Sequence, residues 1–166
     1  MTVWPDRRVL DLLRIDQPIL MAPMAGSGLS GLAIAVARAG GLGSIPCSSI
    51  SVDKVTAEVE AFRKAIDAPI NLNFFAHTPV AASDAAMDRW LSRLEPYFAE
   101  YGVERDALPA AGGRAPFDET MCAMVERLRP EVVSFHFCLP DEALLRRVKA
   151  TGAKILGCAT TVKEGR

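Results

Sequence analysis

Residues 18–45 read PILMAPMAGSGLSGLAIAVARAGGLGSI, and the fold of the chain turns on this stretch. Ile19-Leu20-Met21-Ala22 is an apolar run too short for a helix and suited to a fully buried strand. Pro23, Gly26 and Gly28 mark a loop after it. Leu32 to Ala39 is a run of small and apolar residues that reads as a helix, closed by Gly40-Gly41. Leu42-Gly43-Ser44-Ile45 then reads as a second buried strand. Strand, glycine-rich loop, helix and strand within about thirty residues form a βαβ unit. Its crossover is expected to be right-handed, with the loop at the C-terminal end of the first strand, where α/β proteins place their chemistry.

The alternation continues downstream. Val3 to Leu13 reads as a short amphipathic helix that would cover the N-terminal mouth of a barrel. A polar loop at 46–49 leads to a helix from about Val52 to Ile66, with Ser51 as N-cap and Val55, Val59, Phe62 and Ile66 on one face. Ile70 to Phe75 is the third strand, with Asn71 and Asn73 on one face and Leu72 and Phe74 on the other. Asp84 to Tyr101 has helical spacing, and Pro96 is expected to kink or split it. Leu108 to Pro116 reads as a loop, and a helix starting at Pro116 or Phe117 stops before Pro130. Val132 to His136 is the fourth strand. Asp141 to Thr151 is a helix with acids first and bases last, and Gly152 follows it as C′ residue. Ala153 to Cys158 is the fifth strand, after which Thr160-Thr161 opens another helix.

Five strands alternating with helices imply a parallel sheet in one domain over residues 1–166. Neither GxGxxG nor GxxxxGK[ST] follows any strand, so the dinucleotide fingerprint and the P-loop are both excluded. The pattern leaves an open doubly wound sheet or part of a (β/α)8 barrel. A whole barrel takes about 200–250 residues, and 166 leave room for roughly five of its eight units.

A net charge of −1, with basic residues scattered, gives no electrostatic case for nucleic acid or an anionic membrane surface. No apolar run reaches the roughly 18–20 residues of a membrane span, and no apolar h-region follows Arg7-Arg8. A cytoplasmic protein is expected. The four cysteines, Cys47, Cys122, Cys138 and Cys158, form no CxxC pair, so buried or half-buried thiols are expected rather than a metal site or a disulfide framework.

Two groups of residues could carry chemistry. His136 ends a buried strand, where a general base would sit, although a hydrogen-bonded structural histidine reads equally well. His77 reads as a loop residue near the mouth of the same site. Asn71 and Asn73 are amides inside a strand, disfavoured there unless something needs their hydrogen bonds. A ligand with carbonyl and N–H groups, or the neighbouring backbone, would each satisfy them. Gly26 and Gly28 would let backbone approach a flat or anionic ligand, or serve turn geometry alone.

PILMAPMAG at 18–26, AGGLGSI at 39–45, PINLNFF at 69–75, PEVVSFHF at 130–137 and GAKILGCATTV at 152–162 together resemble the FMN-dependent nitronate monooxygenases, once called 2-nitropropane dioxygenases. The resemblance extends over nearly the whole chain. It implies a TIM-barrel core, here incomplete at about its first five units, with FMN at the C-terminal face. Ala22, Pro23 and Met24 are then expected to run past the flavin ring through backbone, Asn73 to hydrogen-bond the cofactor, and His136 to be the catalytic histidine. The implied reaction oxidises a nitronate with O₂ to a carbonyl compound and nitrite. Cys138 departs from the glycine usual after SFHF, and is expected to crowd or stiffen that loop. The family's glycine-rich phosphate-binding segments are expected beyond Arg166. Open strand edges would then need a homo-oligomer or a partner chain to cover them. The alternatives are another FMN barrel of the enoyl reductase type, or a non-catalytic half-barrel that self-associates.

Overall fold

The computed structural model describes residues 4–79, 83–104 and 115–166. Contacts divide the chain, read as one domain from its sequence, into two compact units. One comprises Met1–His77 with Ala115–Arg166, and the other is Thr78–Arg114. The expected loop at 108–116 lies almost wholly outside the described residues.

The first unit is built on a parallel sheet in the order β1-β2-β3-β4, with β1 at Gly43–Pro46, β2 at Ile70–Phe75, β3 at Val132–His136 and β4 at Lys154–Leu156. Each strand pairs with its neighbours in sequence. Alternation makes the sheet two-sided. Ile45, Leu72, Phe74, Val133 and Phe135 belong to the main core, with Val55, Val59, Phe62, Cys122, Val125, Leu144 and Val148 from the covering helices. Phe62, Phe74 and Phe135 are wholly or almost wholly inaccessible to solvent, each worth about 1.5–3 kcal/mol of burial. Ser44, Asn71, Asn73, Ser134 and His136 occupy the alternate positions and form a polar row on the other face.

The covering helices start and stop for local reasons. In α3 (Val52–Ala65) the expected N-cap Ser51 accepts the Lys54 N–H at 3.2 Å. Asp118 and Asp141 cap α5 (Glu119–Leu128) and α6 (Glu142–Ala150) in the same way. Gly152 ends α6 at φ +89°, the left-handed conformation that glycine adopts without penalty. α2 runs Ser30–Arg38. The N-terminal helix, expected from Val3, is α1 at Arg8–Leu13, and its Leu10 and Leu13 form a second cluster with Ile15, Leu42 and Val132. Leu42 and Val132 lie at the N-terminal ends of their strands on the polar side, so this cluster closes that end.

Three expectations need correction. Residues 19–22 are not a buried strand: they make a single parallel bridge, Leu20 to Leu42, and Ile19 and Leu20 are exposed. Two hydrogen bonds hold the bridge, Met21 N–H to Leu42 O and Leu42 N–H to Ile19 O, both 2.9 Å. Pro23 has no N–H to extend the ladder, and at the other end the Ile19 N–H is turned to Gln17 O, so the ladder does not lengthen. At the other edge, the strand expected over 153–158 is reduced to three residues. Thr160-Thr161 opens no helix. Glu164 folds back instead, accepting the Thr160 N–H at 2.7 Å and hydroxyl at 2.9 Å in a turn.

In the second unit, α4 spans Asp84–Tyr101 as one helix with Pro96 inside it, capped by Ser83. Pro96 does not split it, and none of its residues is buried.

Candidate functional site

The polar row ends at His136, the last residue of β3, and a cavity of about 300 Å³ opens against that end of the sheet. Ser44, Asn71, Ser134 and His136 line one side. Leu20, Met21, Ala22 and Pro23 line another, and Leu156, Gly157 and Cys158 come from the end of β4. A larger cleft of about 560 Å³ lies at the opposite end, among Arg14, Arg129, Glu131 and Lys154. It holds neither the histidine nor the asparagines, and the C-terminal ends of parallel strands are where such sheets work.

Register explains the row. Ser44 pairs with Asn71, and Asn73 with Ser134, so neighbouring strands present polar groups at nearly the same height. Asn71 Nδ2 donates to Ser44 Oγ at 3.0 Å and to Ser134 Oγ at 2.9 Å. Asn73 Nδ2 lies 2.9 Å from Ser134 Oγ and 2.8 Å from His136 Nδ1. Asn71 is 4% exposed and its Oδ1 is buried without a partner among the described residues. A buried acceptor left unmade costs about 1–3 kcal/mol, so this oxygen suits a ligand bearing an N–H donor.

The structure separates the candidates of the motif at 22–24. Ala22 and Pro23 line the cavity, but Met24 does not. Met24 O instead accepts the N–H groups of Ser27 and Gly28, at 3.2 and 2.8 Å, and folds the loop. A Cβ on Gly28 would meet Met21 Cε at 2.7 Å, so close packing within the loop explains that glycine. Asn73 lies behind the cavity wall, 2% exposed. His77 belongs to an aromatic group at the rim, its ring centroid 6.5 Å from that of Phe75 and 6.0 Å from that of Phe137. Phe137, directly after His136, holds φ +75°, and its ring centroid stands 4.8 Å from that of Phe75. Strain of this kind costs on the order of 1–3 kcal/mol and gathers at functional sites. Cys138 follows without a left-handed φ. Cys138 and Cys158 are exposed rather than buried, whereas Cys47 and Cys122 are buried as expected.

Sequence reasoning missed three members. Ser44 and Ser134 each interrupt an apolar strand, at the positions whose alternation matches the asparagines and the histidine. Glu58 was invisible in its helix, because only the fold brings it to Ser30. Its carboxylate accepts the Ser30 N–H at 2.9 Å, bonds the Ser30 hydroxyl, and pairs with Lys54 Nζ at 2.7 Å. The Lys54 ammonium first, and Ser30 second, hold the Glu58 carboxyl down to about 2. This carboxylate fills the N-terminus of α2, at the far end of the loop after residue 22. That N-terminus is thereby closed to a phosphate.

Comparison with known proteins identifies the family. The family profile described as "Nitronate monooxygenase" matches residues 6–166. The chain is 40% identical over 162 residues to a nitronate monooxygenase of Pseudomonas aeruginosa, and 38% over 159 residues to one of Paraburkholderia phytofirmans. Each alignment covers 95% of this chain but only 45% and 43% of the relative, so the chain spans less than half their length. Nitroalkane oxidase from Streptomyces ansochromogenes superposes with a TM-score of 0.79 at 32% identity, over 94% of this chain and 43% of that one. FabK from Thermotoga maritima superposes at 0.62 with 25% identity, over 93% and 37%. The chain belongs to the nitronate monooxygenase family.

Proposed function

We propose that this chain forms the flavin-ring side of an FMN-dependent nitronate monooxygenase. The observation that carries the reading is the polar row Ser44–Asn71–Ser134–Asn73–His136. It runs along one face of a parallel sheet into the cavity beside Ala22-Pro23. Strand order supports the barrel. Four parallel strands and the Leu20 bridge follow one another in sequence with no reversal, whereas a doubly wound sheet reverses at a switch point. We therefore read them as the first five strands of a (β/α)8 barrel.

The cavity residues fit one end of a flavin. The unpartnered Oδ1 of Asn71 suits a ring N–H, and the backbone of Ala22 and Pro23 offers a flat wall. Asn73 is assigned to the cofactor with them, and Met24 through its backbone. Among the described residues no Lys or Arg lines the cavity, and the N-terminus of α2 is filled by Glu58. The phosphate must therefore be held by groups other than these. Bound FMN would supply the redox chemistry with O₂. His136 takes the proton from the carbon beside the nitro group, the C–H electron pair passing into the nitronate, or orients a nitronate already formed. The rings of Phe75 and Phe137 stand beside that of His136, each 6.4 Å away between centroids. Self-association or a partner chain covers the sheet edges at Leu20 and β4.

His136→Asn tests the assignment. Turnover of a neutral nitroalkane, followed by O₂ uptake, should fall about 10²–10⁴-fold, the range for loss of a general base, with flavin absorbance retained. Unchanged turnover removes His136 from the role. NADH consumption without nitronate turnover would point to the enoyl reductase type of FMN barrel instead.

A further inference from the structure

Asn73 Nδ2 has more neighbours than hydrogens. It stands 2.9 Å from Ser134 Oγ, 2.8 Å from His136 Nδ1 and 3.4 Å from the Ser134 carbonyl oxygen. An amide nitrogen carries two hydrogens and cannot serve three acceptors. Ser134 Oγ also receives Asn71 Nδ2 at 2.9 Å, so two donors converge on it while its own hydrogen has no acceptor among them.

The two ends of a carboxamide have the same shape, and the hydrogen-bond network decides which way it faces. With the Asn73 amide reversed, Oδ1 occupies the place beside Ser134 Oγ and His136 Nδ1. The Ser134 hydroxyl and the imidazole Nδ1–H then both donate to that oxygen, and it has lone pairs for two. Only the 3.4 Å contact is given up, the longest of the three. The donors that meet at this junction now each have an acceptor: Asn71 N–H on the two serine oxygens, Ser134 O–H and His136 N–H on Asn73. At a site where both asparagines are at most 4% exposed, matching donors to acceptors at the Ser134–His136 junction is the lower-energy arrangement.

We propose that Asn73 is a positioning residue for His136: its carboxamide oxygen accepts the Nδ1 proton and fixes the imidazole tautomer whose lone pair lies on Nε2. The partner of one ring nitrogen decides which nitrogen carries the proton. Nδ1 is engaged with the strand row, so Nε2 is the nitrogen left for a ligand in the cavity. In the opposite tautomer Nε2 would carry a hydrogen and could donate but not take a proton. In the fixed one, Nε2 accepts the proton from carbon and the C–H pair enters the nitronate. The resulting imidazolium keeps its Nδ1–H on Asn73. Reversal also turns the Nδ2 hydrogens of Asn73 away from the histidine, leaving them for a cofactor. The catalytic use rests on His136 being the base; the tautomer rests on the hydrogen bonds alone.

Nitrogen-15 NMR of the full chain labelled at histidine decides the matter without turnover. The sequence has only His77 and His136, so His77→Gln assigns the signals. At a pH where the ring is neutral, His136 should show a proton-bearing Nδ1 and a bare Nε2. Asn73→Asp, whose carboxylate also accepts from Nδ1–H, should keep that pattern, and Asn73→Ala should reduce Nδ1–H to the minor form. A wild-type His136 protonated on Nε2 overturns the proposal, as does an unchanged pattern in Asn73→Ala. Should Asn73→Ala not fold, the wild-type spectrum decides alone. Loss of nitroalkane turnover with the tautomer intact would refute the functional reading and leave this one standing.

Discussion

Replacing Glu58 by Gln should cost the fold roughly 3 kcal/mol at pH 7, and the cost should shrink in acid. The carboxylate latches the first residue of α2 to the side of α3, through both the N–H and the hydroxyl of Ser30, with Lys54 alongside. Its carboxyl falls from an ordinary 4.5 to about 2, and about 1.4 kcal/mol per pKa unit gives the figure. Gln keeps the shape and removes the charge. A carboxyl lowered in the folded state stabilises fully above its unfolded value, near 4.5, and loses that contribution as pH falls toward 2. At pH 3 the gap between wild type and variant should therefore be about half its value at pH 7. Urea unfolding at both pH values, followed by circular dichroism, measures it. Lys54 is half exposed, so added salt should trim its share while the Ser30 share persists. A gap that stays constant from pH 7 to pH 3, or no gap at pH 7, would refute the latch.

Gly43→Ala places a methyl group 2.6 Å from Ala33 O and 3.0 Å from its Cα and C, all backbone of α2, so β1 and α2 must separate. We expect a loss of about 1–3 kcal/mol, read as a melting midpoint several degrees lower; an unchanged midpoint would show that α2 yields freely. Thiol titration of the folded protein should find Cys138 and Cys158 fast, and Cys47 and Cys122 slow until denaturant is added. Burial pushes the Cys47 thiol upward, which adds to its protection. Four fast thiols would contradict the packing around Cys47 and Cys122.

How much the sequence revealed depended on whether the controlling interaction was local. β2 and β3 fall where their apolar runs and flanking prolines put them, at 70–75 and 132–136. The caps of α3 and α6 were legible because Ser51 and Asp141 act on residues only three positions away. The first strand was misread for a reason the sequence did contain. Pro23 denies the run its next ladder donor, yet apolar character alone suggested full burial. Thr160-Thr161 looked like a helix start because the Thr161 hydroxyl accepts the Glu164 N–H as an N-cap would, and a single turn closed by Gly165 N–H on Thr161 O follows it. Glu58 and Ser30 lie 28 residues apart, and no pattern along the chain links them.

The site was legible as a set of anomalies and illegible as a network. A parallel sheet covered by helices on both faces reads as continuous apolar strands. Here Ser44, Asn71, Asn73, Ser134 and His136 break three strands at alternate positions, on the face turned away from the main core. An apolar helix laid over that face would leave the Asn71 Oδ1 without a partner, at a cost of about 1–3 kcal/mol. The face satisfies most of its own hydrogen bonds and leaves one buried acceptor of the row, Asn71 Oδ1, unmatched among the described residues. That single vacancy separates a ligand face from a self-satisfied one. It lies in the wall of the same cavity as His136, so the group that binds there is brought beside the one titratable side chain of the row.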